Sequence, residues 1–261
     1  MRLVTFNLLH GRSTRDGLVD LDRLAAAVRT LDPDILALQE VDRDQPRSHL
    51  ADLTAIAAEA MGAVAYRFAT VLSGTPGATW LAATENEIPG TPAYGIALLS
   101  RYPARSWRAT RLPRIPFRFP LYLPEPRKVI VVDEEPRVAL IGQLDTPLGP
   151  LAVANTHLSY VPGWGHWQLV RALRDLAGTR EPVVLMGDLN LRNPLPAVAI
   201  GYRSLARHPT FPAEAANRQL DHILLRGRLG KVVSSSAQLL PISDHRALSA
   251  ELARTHEEAP R

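Results

Sequence analysis

Residues 183–190 read VVLMGDLN, four apolar positions, a glycine, and then a carboxylate and a carboxamide two residues apart. A buried strand ending this way presents Asp188 and Asn190 to one point, because alternate residues of an extended chain share a side. Other apolar runs also close on polar residues. Asn7 follows RLVTF, Gln39-Glu40 follows ILAL, and Asn155-Thr156-His157 follows LAVA. Asp221-His222 precedes ILL, and Ser243-Asp244-His245 lies near the C-terminus. A lone Asn or Asp after a strand is ordinarily a turn residue. Six such endings in one chain supply hard oxygen donors, imidazoles and a spare carboxylate to orient one of them. Oxygen donors of this kind suit Mg²⁺, Mn²⁺ or Ca²⁺, and a histidine held by an aspartate is a general base. Phosphoester hydrolysis needs both, a cation to neutralise phosphate oxygens and a base for an in-line water.

Strands must carry these residues to one place. Leu3, Thr5 and Asn7 alternate with Val4, Phe6 and Leu8, the pattern of a first strand. Asp20 is a predicted N-cap for a helix whose Leu21, Leu24, Val28 and Leu31 share a face, and Asp32-Pro33 ends it. The run 35–38 is a short buried strand, and 50–61 is an alanine-rich helix closed by Gly62. Further strands are expected at 64–71, 79–83, 96–100, 128–132, 137–144, 151–156, 183–186, 223–225, 231–236 and 248–252. A helix is expected at 165–176, and a turn at Leu148-Gly149-Pro150. Prolines 113, 116, 120 and 124 exclude a regular helix or central strand between them. No composition break divides the chain. The expectation is one α+β layered domain over 1–255, with a frayed tail at 256–261.

The 261 residues are 46% hydrophobic and 21% charged, values of an ordinary globular protein. No cysteine is present, which excludes a disulfide frame, a thiolate nucleophile and a cysteine zinc site. No run of eighteen apolar residues occurs, and the N-terminus enters a strand directly, so the expected placement is cytoplasmic. The net charge is +4, and the window 101–128 holds eight basic residues against Glu125 alone.

The pieces TFN (5–7), LQEVD (38–42), LLSRYP (98–103), NTHLS (155–159), GDLN (187–190), LDHI (220–223) and SDHR (243–246) carry a resemblance. In type and order they resemble the endonuclease/exonuclease/phosphatase superfamily, which includes pancreatic-type deoxyribonucleases, apurinic-site endonucleases and neutral sphingomyelinases. The resemblance implies a four-layered α/β/β/α sandwich, two mixed β-sheets flanked by helices, with the site where strand ends converge. By position it implies that Glu40, with Asn7 and Asp244, holds the metal, Mg²⁺ or Mn²⁺. His245 would be the general base with Asp221 orienting it, and Asp188 a rival for the base. Asp188 and Asn190 would bind phosphate and align water, and His157 would donate to a phosphate oxygen or stabilise the leaving group.

Arg137 stands where family nucleases place a phosphate-binding arginine, and His10 lies just beyond Asn7. His222 is expected to face away from Asp221. Tyr94 occupies the region where nucleases keep an acid paired with the counterpart of His157, and the nearby acids are Glu85 and Glu87. The substrate stays open. A nuclease-type phosphodiesterase, with nucleic acid as partner, draws on the window 101–128 and its Trp107, Phe117, Phe119 and Tyr122. The alternative is a lipid-headgroup phosphodiesterase set on an anionic membrane through the same window, assisted by Trp164 and Trp167. A non-catalytic binding protein is the third reading.

Overall fold

The strands of the two large sheets form where their apolar residues find a second layer to bury against. The computed structural model describes residues 1–76, 81–84, 88, 90–116, 118–123, 127–132, 134–161 and 163–253. In chain order the elements are β1 (Arg2–Asn7), α1 (Leu21–Leu31), β2 (Ile35–Arg43), α2 (Leu53–Met61), β3 (Ala65–Ser73) and β4 (Leu81–Ala82). There follow β5 (Ala93–Ser100), β6 (Ala104–Leu112), β7 (Phe119–Leu123), β8 (Lys128–Val132), β9 (Arg137–Thr146), β10 (Gly149–His157) and α3 (Trp164–Arg174). The chain ends with β11 (Val183–Asp188), α4 (Leu195–Ile200), β12 (Arg203–Ser204), β13 (Asp221–Arg226), β14 (Lys231–Gln238) and β15 (Ala247–Ala253).

The strands form a seven-stranded sheet, β14-β15-β1-β2-β5-β3-β4, a six-stranded sheet, β12-β13-β11-β10-β9-β6, and the separate hairpin β7-β8. Both large sheets are mixed, with β1–β2 and β10–β11 parallel and the other described pairs antiparallel. Alternation along each strand then sorts side chains into layers. Leu3, Ile35, Ala37, Leu98, Leu140, Val153 and Val184 fill the space between the sheets. Val4, Phe6, Leu36 and Leu38 pack outward under α1 and α2, and Leu185, Ala154 and Ile141 pack outward under α3. The four-layered sandwich expected from the resemblance is the observed architecture.

Local signals acted as read. The Asp20 side chain accepts from Arg23 N–H at 3.0 Å, and Gly62 closes α2 at φ 68°. Strand β6 had no counterpart in the sequence reading, because its arginines break the alternation. It is the edge of its sheet, where one face meets water. Pro120 sits within β7, where a two-stranded hairpin tolerates it. Phe117, Glu85, Glu87, residues 79–80 of the expected strand 79–83 and the tail from 254 lie outside the described residues. Arg101, Arg105 and Arg108 of the basic window form ion pairs with Asp32 and Asp34, with Asp145 and Glu181, and with Asp175. The window therefore offers less uncompensated charge than a residue count suggests.

Between the sheets runs one buried polar seam. Asn155 Nδ2 donates to Leu38 O at 2.9 Å and Ala97 O at 2.7 Å, while its Oδ1 accepts from Gln39 Nε2 at 2.8 Å. Gln39 also bonds the Thr5 hydroxyl, and Thr5, Gln39 and Asn155 are all fully buried. Asn155→Ala leaves two carbonyls and one amide unpaired in the interior, a loss of about 3 kcal/mol. Urea unfolding is expected to register that loss; a change below about 1 kcal/mol would contradict this role.

Candidate active site

The β2–β5 ladder holds a bulge. Leu38 pairs with Ala97 and Val41 with Gly95, so Gln39 and Glu40 stand opposite Ile96 alone. Leu36, Leu38 and Val41 all face the helices. The extra residue restores that face after the bulge and turns Glu40 out toward the strand end, with φ at 54°. A left-handed conformation costs a non-glycine residue roughly 1–2 kcal/mol. Asn7, at the end of neighbouring β1, donates from Nδ2 to Glu40 Oε1 at 2.9 Å and to Asp188 Oδ2 at 3.1 Å. Its Oδ1 accepts from Leu9 N–H. In this orientation Asn7 brackets two carboxylates, and it would offer oxygen to a cation only after the amide turns over.

The opposite sheet supplies a row. His157 ends β10, Asp188 ends β11 and Asp221 begins β13, and ladder register sets them side by side. Gly187 precedes Asp188 at φ 143°, and a Cβ there would lie 1.9 Å from Thr156 O, so only glycine fits. Asp188 and Asn190 do face the cleft together, but not as alternate residues of an extended chain. The strand stops at Asp188, Asn190 is left-handed at φ 52°, and Asn190 N–H donates to Asp188 Oδ1 at 3.0 Å. A side-chain turn, which asparagine and aspartate favour, replaces strand alternation.

His245 Nδ1–H donates to Asp221 Oδ2 at 2.8 Å, which aims Nε2 at Asp188 Oδ2, 3.7 Å away. Thr210 Oγ1 fixes Asp221 by accepting from Leu220 N–H and Asp221 N–H, and the Phe211 ring packs on the imidazole with centroids 4.8 Å apart. Burial opposes charge on His245, but Asp221 and Asp188 outweigh it and raise the imidazole to about 10. Burial pushes Asp188 up to about 7, against the pull of His245. His157 is held neutral, well below its ordinary value, by burial and by Arg137 and His245. Its Nε2 lies 3.2 Å from Asn190 Nδ2, which also donates to Leu158 O at 2.9 Å, and 3.4 Å from Asp188 Oδ2.

These side chains line a cleft of about 370 Å³. Glu40 comes from the first sheet, with Asp244 close enough to act on it, and Glu135, just before β9 and 3.7 Å from the Arg137 guanidinium, approaches from the second; burial, Asp244 and Glu135 all raise Glu40. The wall from the second sheet carries His157, Asn190 and Arg137, whose buried Nε has no hydrogen-bond partner among the described residues. Asp244 and Glu135 raise the cost of ionising Glu40 although His245 and Arg47 act on it in the opposite sense, and clustered carboxylates of this kind are the donor set a hard divalent ion takes. Asp188, Asp221 and His245 also lie close together, their ligand atoms all within 4.8 Å of one another, with the Nδ1–H of His245 engaged by Asp221 and its Nε2 facing Asp188.

Asn7, Glu40, Asp188, Asn190, Asp221, His245, His157 and Arg137 therefore converge as predicted, with Asp244 beside them. His10 does not line the cleft; it sits half-buried in the turn after β1. Tyr94 lines it next to Glu40, and the contacts of His157 are to Asn190 and Asp188. Glu135, Tyr160 and the packing of Phe211 were not anticipated. Glu135 stands two residues before Arg137, and that spacing at a strand start was a usable signal.

Two mixed sheets face to face, with carboxylates, amides and imidazoles gathered at one end, define a sandwich of the phosphoesterase type. Residues 4–245 match the model of the Endonuclease/Exonuclease/phosphatase family, and the chain belongs to that family. Among solved structures it is similar to an endonuclease/exonuclease/phosphatase from Beutenbergia cavernae, at 25% identity and TM-score 0.72, covering 96% of this chain and 70% of that one. The human Nocturnin catalytic domain with bound sulfate shares the fold at 19% identity and TM-score 0.64, covering 98% and 94%. A mannosyl-6-phosphatase from Bacteroides thetaiotaomicron does so at 15% and 0.60, covering 97% and 99%. None of the curated proteins matches at a significant level. No helix among the described residues is long and apolar enough to cross a membrane.

His222 faces away from Asp221, as expected, with Nε2 bonded to Leu191 O at 2.7 Å. Burial lowers it from 6.5 to about 4. Between those values the unfolded chain binds a proton that the folded chain refuses, so stability falls as pH drops from about 6.5 to 4 and levels off below. The share of this residue is about 3 kcal/mol. Denaturation at pH 7 and at about pH 4.5 is expected to show a larger acid loss for the wild type than for His222→Gln; equal losses would contradict it.

Proposed function

We propose that the protein is a divalent-cation-dependent phosphodiester hydrolase, with a nuclease-type activity the favoured form, contained in one catalytic domain. The observation that carries this reading is the two-walled cleft, in which carboxylates face donors across the Asp221–His245–Asp188 relay. Glu40 and Asp244 would hold Mg²⁺ or Mn²⁺, joined by Asn7 when its amide turns. When bound, the ion neutralises charge on the phosphate oxygens and makes an adjacent water more acidic.

The residues of the chain do the rest. Arg137 meets a non-bridging oxygen with its unpartnered N–H. Asn190, whose amide N–H groups are engaged by Leu158 O and His157, holds His157 against the reaction centre. His245 is held protonated between Asp221 and Asp188 and orients the site, and Asp188, pushed up to about 7, accepts the proton that water releases. A lipid headgroup presents the same phosphodiester. Trp164, one of two tryptophans suggested for a membrane contact, instead donates from Nε1 to Pro113 O at 3.1 Å and pins the segment leading to the hairpin.

Hydrolysis of bis(p-nitrophenyl) phosphate with Mg²⁺ or Mn²⁺ tests the reading. EDTA is expected to abolish turnover, and His245→Ala to lower kcat by about 10³-fold. Asn190→Asp sets a second carboxylate against Leu158 O and Asp188, and is expected to lower kcat comparably while leaving thermal unfolding near the wild type. Wild-type turnover in either variant, or in EDTA, would overturn the assignment.

A further inference from the structure

A second concavity is larger than the catalytic cleft. It lies between the edges of the two sheets, β3 on one side and β6 on the other, and encloses about 700 Å³, a volume suited to a small ligand. Among the described residues β4 pairs with β3 at Leu72 and Ser73 and Ala83 N–H bonds Val71 O, while Tyr66 to Thr70 line the concavity.

Register decides which side chains meet there. On β3, Arg67 and Ala69 pair with Leu98 and Ile96, both in the inter-sheet core, and so share the inner face. On β6, Trp107, Ala109 and Arg111 pair with Gly142, Leu140 and Val138 and face the same way. Two alanines thus stand where larger side chains would close the gap. The indole of Trp107 is set by Gly142, where a Cβ would come within 2.7 Å of the ring. Arg43 reaches the rim over the Phe68 ring, 4.7 Å from its centroid. Neither Arg43 nor Arg67 forms an ion pair with a carboxylate among the described residues. The acid in the lining, Asp52, is already committed, accepting Thr54 N–H and Ala55 N–H at the start of α2.

Arginines on edge strands also deter edge-to-edge pairing. That role needs no cavity, no ring seated on a glycine and no facing alanines. An arginine-lined slot with an indole wall matches a planar base joined to phosphate, because stacking and charge act together on such a group. We propose that this slot binds a nucleotidyl group, with the base against Trp107 and phosphate against Arg67, and with Arg43 at the rim on the helix-facing side of the same edge. A free nucleotide and single-stranded nucleic acid share that chemistry. The slot adjoins the cleft, since Val138 follows Arg137 and Arg43 lies three residues beyond Glu40 on β2. The inference deepens the nuclease reading and rests on it only for which of the two ligands is natural.

The test is fluorescence anisotropy with a 5′-labelled oligothymidylate of about twelve nucleotides, in EDTA so that nothing is cleaved. Adenosine monophosphate serves as competitor and probes the free-nucleotide source. Arg67→Glu and Arg43→Glu are each expected to weaken binding at least about tenfold and to lower the salt slope by about one. Arg67→Gln gives an intermediate loss and guards against misfolding as the cause. Hydrolysis of bis(p-nitrophenyl) phosphate is expected to be unchanged in all three. Competition by the mononucleotide at wild-type strength but not against Arg67→Glu assigns the slot to free nucleotide; no competition assigns it to the polymer. Oligonucleotide and mononucleotide binding that are both indifferent to the three substitutions would overturn the inference while leaving the hydrolase reading intact. An inert wild type on the small diester, with binding still lost in the variants, would do the reverse.

Discussion

Two β-sheets packed face to face have apolar surfaces to share and no backbone hydrogen bonds between them, so nothing in hydrophobic burial alone sets how far one slides over the other. Here the Asn155 carboxamide crosses the gap and makes three bonds, to Leu38 O, Ala97 O and Gln39. Leu38 and Ala97 are the last paired residues before the β2–β5 bulge. The amide therefore takes up a carbonyl on each strand at the point where the ladder gives way. In doing so it registers the strand that ends in His157 against the strand whose bulge carries Glu40. The site draws its two walls from different sheets, and this contact holds them in step.

The cleft itself is electrostatically unfinished. Asp188 and Asp221 are buried and answered by His245, and Asn7 spans from Asp188 to Glu40. Glu40 has one amide for company, with Asp244 and Glu135 near it. Burying a carboxylate is costly, and Glu40 is raised by burial and by Asp244 and Glu135 against the pull of Asn7 and His245. An arrangement that destabilises its own acids in the folded state is an arrangement to bind positive charge. The strained backbone tells the same story, since Glu40 and Asn190 are both left-handed and both in the site.

Much of this was legible in the residues. Polar strand endings announced the site because alternation and burial are local, and because aspartate, asparagine and histidine are expensive at the ends of buried runs unless something uses them. The pattern of strands and helices indicated one layered α+β domain, and the order of its four layers came with the family resemblance. Other features depended on partners far along the chain. The bulge that aims Glu40 is invisible without β5 opposite it. Asp188 and Asn190 meet through a side-chain turn that strand periodicity would not suggest. Strand β6 was hidden because an edge strand facing a charged slot need not alternate, and Glu135 was passed over as one more acid in a loop. The basic window misled in the other direction, since charges at Arg101, Arg105 and Arg108 count toward an anion only if no acid has already claimed them.

The central claim is that Glu40 anchors a divalent ion on one wall while Asp221 serves the proton relay on the other. Electron paramagnetic resonance, which counts free Mn²⁺ during titration, tests it without any turnover. Glu40→Gln is expected to weaken Mn²⁺ binding by more than about tenfold, since it removes the anionic oxygen a hard cation requires, and Asp221→Asn is expected to leave it nearly unchanged. Undiminished binding in Glu40→Gln, or loss of the ion in Asp221→Asn instead, would contradict the account.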